Sequence, residues 1–486
     1  MVYGNRFYAV ILFCTLLFCF QACDSDSGNP AAIMDGYSWD RMDSYYVNNP
    51  LADEDYWVRA YGSGKKEHAR VVRVATNGDY LLAGETFTDS SEPSGFWLLR
   101  LSSDGKVLWC KSYGPKIYSD GRYDLVTTSD NGCILVGNVS SEGHVLKIDR
   151  NGAIEWQKKT PDSGCSTIRE IPGTGYAVSY SNKMHILDYE GTPLHTRNLM
   201  VSSTTRMPQD FIIATADGGL LSVGLGALSK VSAEGNLEWS KREISENWLR
   251  IKSVIQSSDG GYLITGATDG EGEENMELAL VRLDADGNFE WAKKYPRTTK
   301  PLGDYENTGV QLLETGSGEI VIMGSSELSG AWGIILPDEE SPWPLFLTGY
   351  RKNYTWLLKT DPTGDIVWHK SIRDIMNIAF SFFGPMIINT INTVDLVRAG
   401  DACLMAGDIG LFVDLSTFAK EKALLLKADS EGHIPNTWCI TGDVSTTAES
   451  FELEFGDTGY YLVEDSITFV EGELTETELV CKYINL

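Results

Sequence analysis

Hydrophobic and polar positions alternate along this chain in short bursts, and the bursts recur in a fixed order. In the clearest copy, the polar turn Asp259-Gly260-Gly261 leads into the apolar run Tyr262-Leu263-Ile264-Thr265-Gly266. A second run, Leu280-Val281-Arg282-Leu283, ends in the turn Asp284-Ala285-Asp286-Gly287, and Trp291 follows four residues later. Runs of this length, rich in β-branched and aromatic residues and bounded by Gly, Asp, Asn and Ser, predict short strands joined by tight turns. A helical period is nearly absent.

The phrase occurs seven times. The glycine closing the first run falls at Gly84, Gly137, Gly224, Gly266, Gly324 and Gly407, with Tyr180 at that place in the third copy. The later turn glycine is Gly105, Gly152, Gly191, Gly235, Gly287, Gly364 and Gly432. Trp109, Trp156, Trp239, Trp291 and Trp368 come four residues after it, while copies three and seven carry His195 and Asn436, and His195 is expected to pack where the Trp would. A strand-only repeat of roughly forty residues or more predicts an all-β fold, a seven-bladed β-propeller of four-stranded blades. Before the first copy stands Trp57-Val58-Arg59-Ala60-Tyr61-Gly62, which reads like a fourth strand without a blade. It is expected to complete the seventh blade, which lacks its own Trp, and so to remove an open edge.

Chain direction alternates within a blade, so the first-to-second and third-to-fourth turns share one rim and all are short. The second-to-third loops and the blade-to-blade links share the other rim and hold the insertions: Thr86 to Gly95, Asp269 to Glu274, Ser325 to Tyr354 and Ile372 to Asn392. Loops on a rigid scaffold are where recognition concentrates. The candidate binding face is therefore Trp332, Trp343, Phe346, Tyr350, Phe380, Phe382 and Phe383 with the acidic Glu273 and Glu274. Exposed aromatics beside carboxylates suit a glycan, a peptide or a protein, and the alternative is a lid in which the insertions pack on each other.

The apolar run Phe7 to Phe20 behind Arg6 is too short to span a bilayer. It ends in Phe20-Gln21-Ala22-Cys23, which resembles the lipobox of bacterial lipoproteins, with Phe20 in place of the usual Leu. The resemblance implies a signal peptide over 1–22, lipidation at Cys23 and a membrane anchor. Residues 23–55 then read as a tether, 56–438 as the propeller and 439–486 as a C-terminal β appendage. The net charge of −28 argues against binding nucleic acid, because a polyanion is repelled.

Among the nine cysteines, Cys133 and Cys403 share a register in non-adjacent blades and read as core residues. Cys439 and Cys481 bracket the β-rich C-terminal segment, and in an oxidising envelope a disulfide between them is the preferred reading. Cys110 and Cys165 have no assignment. No Cys/His spacing suits zinc, and Asp284 to Glu290 lacks the order of a calcium loop, so no metal and no cofactor are expected. Catalytic residues cannot be singled out, since 68 acidic residues offer a carboxylate pair almost anywhere.

The unit Gly260-Gly261-Tyr262-Leu263-Ile264-Thr265-Gly266, with Leu280 to Trp291, resembles the repeat of secreted bacterial and archaeal β-propellers of quinoprotein-like (PQQ-like) or endoglucanase-like appearance. The turn Asp361 to Gly364 is one residue shorter than the quinoprotein Asp-x-x-Thr-Gly, and the adjacent cysteine pair of quinone-binding dehydrogenases is missing. The resemblance thus implies a fold and no redox cofactor. A lipid-anchored envelope propeller that binds a protein or glycan is the expectation, with a glycosidase or polysaccharide lyase, or an outer-membrane assembly lipoprotein, as alternatives.

Overall fold

The computed structural model describes residues 55–486 apart from 64–66, 88–92, 115–122, 140–141, 161–164, 181–182, 201–210, 225, 244–248, 270–275, 297–303, 330–332, 336–344, 348–350, 375–389, 412–419, 435–438 and shorter stretches of the C-terminal segment. Every regular element described is a β-strand. Seven blades of four antiparallel strands form a closed ring, in which the inner strand of each blade contacts the inner strands of both neighbours. The inner strands are Glu67–Val74, Tyr123–Thr127, Cys165–Ile171, Phe211–Ala214, Leu249–Gln256, Asp304–Glu314 and Thr390–Ala399.

Closure occurs as the sequence predicts. Trp57–Gly62 pairs antiparallel with Lys420–Ala428, the third strand of blade 7, and becomes its fourth strand. First and last parts of the ring are thereby sewn together. The core cluster at the seam joins Trp57 and Tyr61 to Leu404 and Leu425 of blade 7 and to Trp97 and Leu99 of blade 1.

The residues of the repeat act between blades. An added Cβ on Gly152 would stand 3.2 Å from the Trp109 ring, and one on Gly191, Gly287, Gly364 or Gly432 would stand 2.7 to 2.9 Å from Trp156, Trp239, Trp291 or Trp368. Each of these glycines belongs to the blade after its Trp. Gly105 meets Trp57 in the same way, which carries the contact across the seam. The turn glycine is therefore doubly required: it adopts positive φ, +75° at Gly287, and it leaves room for the indole. Tyr61, Tyr113 and Tyr295, four residues beyond their Trp, donate hydroxyl hydrogen bonds to the carbonyls of Gly105, Gly152 and Gly364. His195 does not pack into the Trp place as expected; it is exposed. Its imidazole is too small to reach the turn of blade 4, and among the described residues Gly235 there has only Arg197 nearby.

The C-terminal segment runs around the outside of the whole ring. Its strands Cys439–Asp443, Glu449–Ser450, Phe455–Asp457, Tyr461–Glu464, Val470–Glu471, Glu476–Glu478 and Lys482–Asn485 pair with the fourth strands of blades 6, 5, 4, 3, 2, 1 and 7 in that order. Every blade thus gains a fifth, antiparallel strand, and a single belt covers all seven outer edges. Cys133 and Cys403 are free and buried, as core residues should be. Burial pushes the Cys133 thiol up to about 12 and that of Cys403 up to about 11. Cys110 is disulfide-bonded. Cys439 opens the belt, its side chain and Cys481 lying outside the described residues. Among the described residues no helix is long and apolar enough to cross a membrane.

Candidate functional site

The inner strands enclose an axial cavity of about 680 Å³ with walls from all seven blades. Its position follows from a regularity of register. Val71, Asp124, Thr167, Phe211, Ser253, Gln311 and Asp395 each pair with the residue just before the repeat glycine position of their own blade. All seven line the cavity.

The repeat glycine itself helps to shape this wall. In blades 1 and 5 the inner strand bulges opposite it, between Ala69 and Val71 and between Ile251 and Ser253. The bulge drives a carbonyl onto the glycine: a Cβ at Gly84 would sit 1.8 Å from the His68 oxygen, and one at Gly266 would sit 1.9 Å from that of Arg250. Only glycine admits such an approach. The extra residue of each bulge, Arg70 or Lys252, lines the cavity, as a bulge that re-aims a side chain would have it.

A polar chain crosses the wall through six blades. The Ser253 hydroxyl donates to Gln311 Oε1 at 2.8 Å, and Gln311 Nε2 donates to Asp395 Oδ1 at 3.2 Å. Arg73 then bridges Asp395 at 2.6 Å and Asp124 at 2.9 Å, and Asp124 also accepts from Arg169. Main-chain N–H groups complete both carboxylates: Val72 and Leu396 for Asp395, Leu125 and Ile168 for Asp124. Each carboxylate accepts four hydrogen bonds and ties its own blade to the next. Burial raises the pKa of Asp395 above the ordinary 3.8, against the pull of Arg73 and the Val72 N–H. Burial by itself lowers that of Arg73, yet the carboxylates of Asp395 and Asp124 outweigh it and raise the guanidinium above its ordinary value. Arg70 is engaged from behind by Glu85 at 2.8 Å and, more distantly, by Asp408.

The rims differ as strand direction requires. Arg100 of blade 1 touches the carbonyls of Asn131 and Arg150, in the first-to-second and third-to-fourth turns of blade 2, so both short turns lie on one rim. On the other rim, Met276 at the end of the blade 5 loop pairs with Glu306 after the blade 5 to 6 link. The four strands of blade 6 and the first three of blade 7 have 9 to 11 residues, as in Ile320–Ser329 and Arg351–Thr360. The inner strands of blades 2 and 4 have five and four residues. Part of what the sequence presents as loop, Ser325–Ser329 and Arg351–Tyr354, thus continues the hairpin of blade 6.

Of the candidate binding residues, Phe346 lies in the small strand Leu345–Leu347, opposite Ile334. Its side chain and the positions Trp332, Trp343, Tyr350, Phe380, Phe382, Phe383, Glu273, Glu274 and Cys23 lie outside the described residues. The cavity wall was missed. The signal for it was a polar residue, Asp124, Gln311 or Asp395, twelve or thirteen residues ahead of the repeat glycine in a strand that should be buried. Among the described residues no three His, Cys, Asp or Glu side chains form a metal-binding group. In the calcium-like stretch, Asp284 Oδ1 accepts the N–H groups of Asp286 and Asn288. It is a turn brace.

No protein-family model matches the sequence, and no curated protein matches it either. Solved structures do align. A protein from Lactobacillus plantarum does so at TM-score 0.42 and 11% identity, over 76% of this chain and 99% of that one. A protein of unknown function from Bacteroides caccae aligns at TM-score 0.33 and 13% identity, over 49% of this chain and 93% of its own. An exo-beta-1,3-galactanase from Clostridium thermocellum aligns at TM-score 0.25 and 13% identity, over 73% and 82%. These likenesses are too distant to transfer any chemistry.

Proposed function

We propose that this protein is a ligand-binding propeller of the bacterial cell envelope, anchored by lipid on Cys23, which captures its ligand at the axial cavity beneath the long-loop rim. One observation carries the reading: about 680 Å³ of space on the ring axis, walled by a hydrogen-bonded polar chain that immobilises side chains from six blades. A volume of this size is typical of small-molecule sites, and walls fixed by such bonding recognise shape at low entropic cost. The carboxylates Asp124 and Asp395 have their oxygens occupied as braces, which suits a binding wall better than proton transfer. By strand parity the insertions belong to the rim where the inner strands begin, and loops on a rigid scaffold are where recognition concentrates.

The chain without residues 1–22 would be screened by calorimetry and on glycan arrays, with reducing-end release followed in parallel. Saturable binding without turnover, weakened about tenfold or more by Asp124→Asn, is the expected result. Release of reducing ends would make it an enzyme, and an absence of any ligand in screens that include envelope proteins would remove the reading. Labelling with a radioactive fatty acid in a bacterial host, lost in Cys23→Ser, tests the anchor separately.

A further inference from the structure

Resting on that reading, we infer that the ligand of the axial cavity is a small sugar acid, whose carboxylate meets Arg169 and Lys252 and whose ring lies against Phe211. The three residues come from consecutive blades: Arg169 from blade 3, Phe211 from blade 4 and Lys252 from blade 5. All line the same cavity. Thr167 adds a hydroxyl to this sector, two residues from Arg169 and so on the same side of its strand.

Hydrogen-bond capacity selects the charge of the ligand. Asp124 and Asp395 are saturated by guanidinium and main-chain donors, so neither has a free oxygen to offer a cationic ligand. Donors are left over. Among the described residues Arg169 engages Asp124 and the Ile168 carbonyl through Nη1 and uses no other edge of its fork. Lys252 is exposed and has no ion-pair partner among the described residues. A planar fork matches a carboxylate in a bidentate manner, and an ammonium adds a point charge.

Size and body follow from the rest of the sector. The chain as a whole carries a charge of −28, so a long polyanion is repelled before it reaches the axis, whereas a single carboxylate is not held off to the same degree. Phe211 offers an apolar face of ring size, and the Thr167 hydroxyl offers a partner for a sugar hydroxyl. A neutral sugar would leave the spare cations unmet, and a purely aromatic acid would leave the hydroxyl unmet.

Calorimetry of the chain without residues 1–22 against galacturonate, galactose, benzoate and inorganic sulfate tests the inference. Galacturonate should bind at least about tenfold more tightly than the other three. Lys252→Gln should weaken galacturonate about tenfold and Lys252→Arg should largely restore it, with circular dichroism and melting temperature unchanged because Lys252 is exposed and pairs with no carboxylate among the described residues. Arg169→Gln should weaken it further, and the melting temperature of that variant reports how much of the effect comes from the lost Asp124 brace. Equal binding of galactose, or indifference to Lys252→Gln, overturns the anionic assignment while leaving a ligand-binding propeller. Equal binding of sulfate or benzoate overturns the sugar acid. Failure of all four probes, with a different ligand found in the broader screen, rejects this inference alone; failure of that screen as well rejects the parent reading.

Discussion

A Trp and a Gly that look like punctuation in one repeat prove to be two halves of a joint between consecutive blades. Replacing Trp109 by Ala removes a half-buried indole from the turn of blade 2, together with its Nε1 bond to the Arg150 carbonyl at 3.0 Å. A loss of about 2 to 3 kcal/mol in urea unfolding is expected. The joint between blades 3 and 4 lacks an indole, so His195→Trp should stabilise the protein by about 1 kcal/mol, seen as a raised melting temperature. Ion pairs recur at the same scale. Asp217 is pulled toward its neutral form by burial, but Lys230, Thr215 and the Gly219 N–H outweigh this and hold it down at about 2. A depressed carboxylate stabilises the fold above its unfolded value near 3.8, and that contribution is lost as pH falls toward about 2. Asp217→Asn should therefore flatten the acid limb of a stability profile in that window, by a modest amount because the side chain is half exposed.

Among the elements, the belt is the one whose position along the chain least suggests its place. A propeller blade ends in an outer strand with an unpaired edge, and such edges template aggregation. Here seven edges are covered by one segment that retraces the ring against the order of synthesis. Truncation after residue 438 should lower the melting temperature by roughly 5 °C or more. It should also yield dimers or larger species in size-exclusion chromatography, whereas truncation after residue 480 uncovers blade 7 alone and should have a much smaller effect. Both expectations follow from the pairing of each belt strand with a different blade.

Taken whole, the molecule is a ring closed twice, by Trp57–Gly62 on the inside of the seam and by Lys482–Asn485 next to it on the outside. The chain carries a net charge of −28, most of it in the residues of the ring and its belt, and the ring is closed at its seam. Self-repulsion therefore destabilises the compact state, and salt screens it. The melting temperature should rise between low ionic strength and ~0.5 M sodium chloride. A melting temperature that falls over that range would show that the ion pairs, not the repulsion, dominate the stability.

Blade number, seam and rim assignment were legible in the sequence because each depends on local period and strand parity. Strand alternation and turn chemistry act over a few residues, so Gly287 and Trp291 betray their roles without any partner being known. The axial wall and the belt were not legible, since both are built from residues far apart in the chain. Asp124 and Asp395 are unremarkable polar residues until ring closure puts Arg73 between them, and Glu449 to Asn485 shows no repeat because each short strand answers to a different blade. Local patterning thus specified the parts and their order. Which charges face one another on the axis, and what covers the outer edges, was decided only when the ring closed and long-range pairing gave those residues their neighbours.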